Sequence, residues 1–115
     1  MKKIVEIKGA LKIFEESAQK HQEATDVGDY KTANKNYDSI IIAVKYLKEH
    51  NLIDDLLPYL NSQSIAVKLW ASTFLLPYHE SDAISALKDL IKVKGIISLD
   101  AETVLVEWER GNLKV

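Results

Sequence analysis

The 115-residue chain contains no cysteine, only two prolines and four glycines. Without cysteine, disulfides and thiolate zinc sites are excluded. The longest uninterrupted apolar run covers residues 40–44, far fewer than the roughly 20 residues that span a bilayer. Two lysines near the start are typical of a signal peptide, but Glu6, Lys8 and Lys12 interrupt the apolar run that such a peptide needs. We therefore expect a cytoplasmic protein that does not enter a membrane.

Charge of one sign is also lacking, since 15 basic and 17 acidic residues give a net charge of −2. Residues 1–57 carry 9 Lys against 10 acids, and residues 58–115 carry 6 Lys or Arg against 7 acids. A nucleic-acid-binding domain would be expected to concentrate basic residues, so nucleic acid is an unfavoured partner. The hydrophobic content of 47% is that of a globular protein, and we expect a single domain over residues 1–115.

What the chain does have is apolar residues at steps of three and four, which predicts an all-α fold. The first helix is expected over residues 4–24, closed by Gly28, and the second over residues 30–49, begun by Asp29 and with Tyr30 and Tyr37 on its core side. Asn51 is expected to cap a third helix that is kinked at Pro58. A fifth helix starts near Ser81 or Asp82 and ends at Gly95, and a sixth runs from about Ser98 to Arg110.

The fourth helix, after the turn at residues 61–64, has apolar residues on opposite sides. Val67, Ala71, Phe74, Leu75 and Tyr78 lie on one side, and Ile65, Leu69 and Leu76 on the other. Such a helix needs neighbours on both sides, so it is expected to lie in the middle of a stack.

A shift of thirty residues aligns apolar residues in both helices of two successive pairs. The aligned pairs are Leu57 and Leu87, Leu60 and Leu90, Val67 and Ile97, Ala71 and Ala101, Phe74 and Val104, Leu75 and Leu105, and Tyr78 and Trp108. This period indicates helical hairpins that bury their sides against each other. With leucines followed by proline in the first helix and Val67-Lys68 entering the second, the pattern resembles HEAT repeats, although it is shorter than their usual length. We predict a right-handed HEAT-like stack of about six helices in three antiparallel hairpins; the alternative is a generic helical bundle.

Several short segments carry a likeness to a known family. They are Ala33-Asn34-Lys35, Val67-Lys68-Leu69, Leu75-Leu76-Pro77 and the tail from Gly95 to Gly111 with Ala101, Leu105 and Trp108. Over residues 14–111 the chain resembles a small bacterial family of single-domain HEAT-like proteins of unknown function. It departs from the family by Lys68 in place of the usual arginine and by Ser72 in place of a second alanine. Members are often placed beside polymorphic toxins as immunity proteins, so the resemblance implies toxin neutralisation and no catalytic residues.

Nothing in the sequence supplies a catalytic or metal-binding arrangement. His21, His50 and His79 lie near predicted helix ends without a ligand spacing, and the adjacent Asp54 and Asp55 diverge by about 100° on a helix. There is also no Ser-His-Asp order and no glycine-rich phosphate loop. We therefore expect no enzyme activity, no metal and no cofactor.

The candidate binding residues are polar positions on the second helices of the hairpins, together with one tryptophan at the edge of the core. They are Asn34, Lys35, Asp38, Lys68, Trp70, Ser72, Ser98, Glu102 and Glu109. Trp108 is expected in the core. The acidic residues of the last helix would meet a basic toxin surface, or else they are only a solvated face. A scaffold or regulatory subunit is the alternative function, and exposed ends of the stack could form a homodimer.

Overall fold

The computed structural model describes residues 7–113 and 115, with the side chain of Ile7 excepted. These residues form five α-helices: α1 (Ile7–Asp26), α2 (Tyr30–Glu49), α3 (Ile65–Leu75), α4 (Glu80–Ile91) and α5 (Ile96–Glu109). A 3₁₀ helix, Ile53–Asn61, lies between α2 and α3. Since the described part of the chain contains six helices and no strand, the predicted all-α fold is confirmed. The predicted start of the first helix at Ile4 lies outside the described residues.

The chain divides into two compact units, Met1–Asp55 and Leu56–Val115. In the first unit, α1 packs against α2 as a hairpin closed by a three-residue turn. Phe14 of α1 is fully buried, as are Ile40 and Leu47 of α2. Small residues surround them, because Ala10, Ala18 and Ala43 are also fully buried, and such side chains allow two helices to approach closely.

The turn between α1 and α2 satisfies the backbone groups at both helix ends, as predicted. Gly28 adopts φ +75°, and its N–H and that of Asp29 bond to the carbonyls of Thr25 and Ala24, which is a Schellman closure. The Asp29 carboxylate then accepts the Thr32 backbone N–H at 3.1 Å and so caps α2. Hydrogen bonds from the side chain and the backbone of Thr32 hold the pKa of Asp29 below its ordinary value.

The expectation that Tyr30 and Tyr37 face the core of α2 is wrong, because both are exposed. Ala33, Ala43 and Val44 form the buried side with Ile40 and Leu47. The tyrosines lie on its flank, roughly 80° away from its centre at about 100° per residue. The apolar residues of α2 therefore include both the buried side of the helix and an exposed flank.

Asn51 does not cap the next helix, contrary to prediction. It adopts φ +57°, its N–H bonds to the Lys48 carbonyl, and the Leu52 N–H bonds to the Leu47 carbonyl at 2.7 Å. These two bonds form a second Schellman closure, so Asn51 ends α2. Asparagine suits a left-handed residue as well as an N-cap, and the sequence does not separate the two roles.

The third helix is a 3₁₀ helix over its nine residues, where a kinked α-helix was predicted. Pro58 has no backbone N–H, and in an α-helix its ring would collide with the carbonyl of Asp54. The 3₁₀ geometry, with bonds to the third residue back, avoids that collision. The predicted apolar face survives the change, because Ile53, Leu56 and Leu60 are all buried.

In the second unit α3 packs against α4, α4 packs against α5, and α3 also contacts α5. Ser64 caps α3 by accepting the Val67 N–H. The prediction that α3 is covered on both sides is confirmed, since Val67 and Leu75 on one side and Leu69 and Leu76 on the other are buried. Only the two ends of the predicted pattern are wrong, because Ile65 and Tyr78 are exposed.

Helix α4 ends four residues earlier than predicted. It begins at Glu80 and stops at Ile91, and Gly95, with φ +113°, stands at the N-cap of α5 instead of closing α4. The Ser98 hydroxyl donates to the Ile91 carbonyl at 2.6 Å. That hydroxyl satisfies a carbonyl at the end of α4, so the end of α4 is tied to the first turn of α5.

Burial follows the thirty-residue offset in the second helix of each aligned pair. Val67 and Ile97, Ala71 and Ala101, and Leu75 and Leu105 are all buried. The aligned first helices differ, because one is a 3₁₀ helix and the other is α4. Trp108, expected in the core, is only half-buried, and its indole N–H donates to Glu80 Oε2 at 2.7 Å. An indole needs a partner for its N–H, and Glu80 supplies one at the surface.

Replacing Pro58 should convert part of the 3₁₀ helix into α-helix. Pro58→Ala restores a backbone donor and removes the ring, so we expect a gain of about one α-helical turn. Far-UV circular dichroism would show this as a stronger helical signal. Pro77→Ala, which lies in the turn after α3, is the matched control and should leave the signal unchanged. An equal response of the two variants would contradict the role given to Pro58.

Two substitutions at Asn51 should separate its left-handed conformation from any capping role. Asn51→Ala places a Cβ in a left-handed residue and should lower the free energy of unfolding by about 1 kcal/mol. Asn51→Gly should keep or raise the free energy of unfolding, since glycine adopts that conformation without strain. Chemical denaturation measures both. If Asn51 acted through its side chain, glycine and alanine would be equally destabilising.

Candidate protein-binding face of α5

Helix α5 has an apolar residue on nearly every side, although neighbouring helices cover only part of it. Ile97, Ala101 and Leu105 are buried at steps of four residues and mark the packed side. On the other side, Leu99 is 65% exposed, and Val106 is partly exposed one heptad later. A helix that is apolar all round is normally buried all round, so this side lacks a partner within the second unit.

We define the α5 outer face as Leu99, Glu102, Thr103, Val106 and Glu109. The helical turn of about 100° per residue places Leu99, Thr103 and Val106 opposite the packed side, with Glu102 and Glu109 at the edges of the face. Thr103 donates its hydroxyl to the Leu99 carbonyl at 2.9 Å, so its one hydroxyl proton is already used within the helix. The face therefore presents apolar groups flanked by the exposed carboxylates of Glu102 and Glu109.

The charge of α5 is entirely acidic between its ends. Asp100, Glu102, Glu107 and Glu109 are its charged residues, and the nearest cations in sequence are Lys94, before the helix, and Arg110, just past it. Like charges at this density disfavour contact between two copies of the same face. A partner surface that carries Lys or Arg around an apolar centre complements it in both charge and polarity.

Three of the predicted binding residues lie on α5, and they differ in exposure. Glu102 and Glu109 are exposed and lie on the α5 outer face. Ser98 is half-buried, and its hydroxyl bonds to the Ile91 carbonyl. Ser98 therefore joins α4 to α5 and is a structural residue in this chain.

Ser72 was predicted as a surface residue, and this is wrong, because it is fully buried in α3. Its hydroxyl donates to the carbonyl of Lys68, one turn earlier, which removes the cost of an unpaired buried hydroxyl. Helix α3 is covered on both sides, so a position between its two apolar sides has no access to solvent. At this position a polar residue type does not indicate exposure to solvent.

Lys68 and Trp70 make contacts within the second unit. The Lys68 ammonium lies 3.5 Å from Asp89 Oδ2, and the lysine side chain is only 19% exposed. This ion pair links α3 to α4 and leaves the Asp89 carboxylate partly in solvent. Trp70 is half-buried and stacks on Phe74 with ring centroids 6.0 Å apart. Neither residue lies on the α5 outer face.

Asn34, Lys35 and Asp38 are exposed on α2 in the first unit. Lys35 points roughly 100° away from Asn34, so these three residues do not form one patch. Asn34 and Asp38, one turn apart, share a side of α2, and Lys35 lies on another side.

The sequence prediction missed the apolar members of the α5 outer face, Leu99 and Val106, and the neighbouring Ile96, which is also exposed. The signal was present, because the aligned repeat places Ile97, Ala101 and Leu105 on the packed side and leaves Leu99 and Val106 opposite. The predicted binding residues were polar apart from Trp70 and so did not include them. Apolar anchors surrounded by polar residues are the usual centre of a protein-binding surface.

Other surface features are open and shallow. A groove of about 340 Å³ between the 3₁₀ helix and α4 is lined by Leu57, Leu60, Asn61, Asp82, Ser85, Ala86 and Asp89. Within residues 7–113 and 115, no three His, Cys, Asp or Glu residues are grouped as a metal site would need. In the same part of the chain, no helix is both long and apolar enough to cross a bilayer.

Comparisons with protein-family models, with curated proteins and with solved structures gave no match to this chain.

Two serine substitutions on α5 should separate the exposed face from the packed side. Leu99→Ser should change the free energy of unfolding by less than about 0.5 kcal/mol, because Leu99 buries little surface in the chain itself. Leu105→Ser removes buried apolar contacts and leaves a buried hydroxyl, so it should cost about 3 kcal/mol. Thermal or urea unfolding measures both. A large loss with Leu99→Ser would place that residue in the core.

Proposed function

We propose that this chain is a protein-binding module, and specifically an immunity protein that neutralises a bacterial toxin by stoichiometric binding. The observation that carries the proposal is the exposed Leu99, set between acidic residues on a helix whose opposite side is packed. The likeness of residues 14–111 to HEAT-like proteins encoded beside toxins supports the choice of a toxin as partner.

The chemistry of the α5 outer face defines the surface it would bind. Leu99 and Val106 would fill an apolar depression, and Glu102 and Glu109 would meet Lys or Arg side chains around it. A toxin that acts on nucleic acid needs a basic cleft to hold phosphates, and an acidic helix occupying that cleft would exclude the substrate. Inhibition of this kind requires only binding and needs no cofactor.

Electrostatic complementarity of this kind acts mainly on the rate of association. Opposite charges around a contact steer two proteins together, and added salt screens them over about 8–10 Å. The apolar centre, which salt does not screen, would determine how long the complex lasts. Rate and lifetime are therefore expected to depend on different residues of the same face.

The test is co-expression of the chain with the protein encoded by the adjacent gene, together with a purified-protein binding assay. Growth in the presence of that protein, lost with Leu99→Ser, supports the proposal. Capture of a non-toxic neighbour would contradict the immunity role and favour a scaffold function. Failure to retain any protein product of the adjacent gene would overturn the proposal.

Neutralising the carboxylates of the α5 outer face should slow association with the toxin. Glu102→Gln with Glu109→Gln is expected to lower the association rate about threefold to tenfold at low salt and to flatten its salt dependence. Glu15→Gln with Glu23→Gln removes the same charge from exposed positions on α1 and should keep most of the rate. Stopped-flow or surface-plasmon measurements resolve the two. Equal losses in the two double variants would show that net charge acts and the α5 outer face does not.

A further inference from the structure

The only arginine of the chain, Arg110, continues the centre line of the α5 outer face. It follows Leu99 by eleven residues, which is about three helical turns, so the two residues differ in direction by only about 20°. Helical geometry extends to this position, because Arg110 adopts φ −81° and ψ −7° and its N–H bonds to the Val106 carbonyl at 3.0 Å. Arg110 is therefore placed about 6 Å past Val106 along the helix axis.

The charge of Arg110 is not used within the chain. The residue is exposed, and among residues 7–113 and 115 its side chain forms no ion pair and no hydrogen bond. Glu107 and Glu109 are close to it in sequence, but neither is paired with it in this part of the chain. A cation after the last turn of a helix also offsets the helix dipole, and a lysine at any exposed position of that turn would do the same. The dipole alone therefore does not require a cation on the centre line.

Arg110 makes the α5 outer face selective in charge. Glu102 and Glu109 lie at its edges and attract basic groups, whereas Arg110 lies in line with Leu99 and Val106 and repels basic groups. A uniformly basic surface would therefore be attracted along the edges and repelled at the C-terminal end of the face. A surface with an apolar depression, basic groups beside it and one carboxylate at its end would be attracted at every position.

We propose that Arg110 is a specificity-determining residue of the α5 outer face, and that the partner presents an exposed Asp or Glu side chain to it. This inference rests on the proposed function, because that partner is the toxin. The planar guanidinium donates two parallel hydrogen bonds to a carboxylate, which fixes the orientation of the two proteins as well as their separation. Lysine supplies only a point charge, so Arg110→Lys should keep part of the affinity.

The first measurement compares charge variants in their binding to the protein encoded by the adjacent gene, by isothermal titration calorimetry at low salt. Arg110→Gln should weaken binding about threefold to tenfold and Arg110→Glu about tenfold to a hundredfold, because the reversed charge repels the carboxylate of the partner. Lys20→Glu makes the same charge change at an exposed position on α1 and should keep most of the affinity. Circular dichroism checks that each variant is folded.

The decisive measurement reverses the charge on the other side of the contact. Exposed Asp and Glu residues of the partner are replaced by Lys, one at a time, and each partner variant is titrated with the Arg110→Glu chain. One of these substitutions should restore the affinity to within about threefold of the original pair, because a new pair of opposite charges replaces the original one. The same partner variant should bind the unmodified chain more weakly. A role of Arg110 in the helix dipole alone would give no such rescue.

The outcomes separate this inference from the proposed function. Loss of binding with Leu99→Ser together with unchanged binding of Arg110→Glu would contradict the inference and leave the proposed function standing. Equal losses with Arg110→Glu and Lys20→Glu would attribute the effect to net charge and contradict the inference as well. Absence of rescue by every partner substitution would also overturn it. If the unmodified chain does not bind the product of the adjacent gene at all, the inference and the proposed function both fail.

Discussion

A helix that is apolar around its whole circumference must be covered around its whole circumference, and this constraint governs the second unit. Helix α3 meets it within the chain, since Leu69 and Leu76 on one side and Val67 and Leu75 on the other are buried. Helix α5 also has apolar residues on more than one side, together with four acidic residues, but only one side is covered, which leaves Leu99 in solvent. This requirement explains why α3 is packed on both sides. It also identifies the face of α5 where contact with another molecule would reduce the exposed apolar area.

The sequence predicted the number of helices and their order along the chain well. Apolar residues recur at helical spacing over many residues, so a few exceptions do not hide the pattern. The limits of α2 and the cap at Asp29 followed from local chemistry that has one main interpretation. Asn51 and Gly95 were assigned the wrong roles, since each residue suits both a helix start and a helix end. The bonds that decide between them come from Leu52 and Ser98, which a local pattern does not reveal.

The candidate site was harder to predict than the fold, because exposure depends on which sides of a helix are packed. Glu102 and Glu109 were found as charged residues at helical spacing, and both are exposed. Ser72 was misplaced, since a hydroxyl can bond to its own helix and be buried. Tyr30 was placed in the core for the converse reason: an apolar residue just beyond the core side is hard to separate in sequence from one within it.

The end of α2 also affects how the chain can fold during its synthesis on the ribosome. The main helix packings join elements that are neighbours in sequence, α1 with α2, α3 with α4 and α4 with α5, so most contacts close short loops. Chains of this kind fold within microseconds to milliseconds, far faster than a ribosome adds residues. The left-handed Asn51 terminates α2 through bonds that reach only as far as Leu52. The first hairpin can therefore complete its own hydrogen bonds while the second unit is still being synthesised.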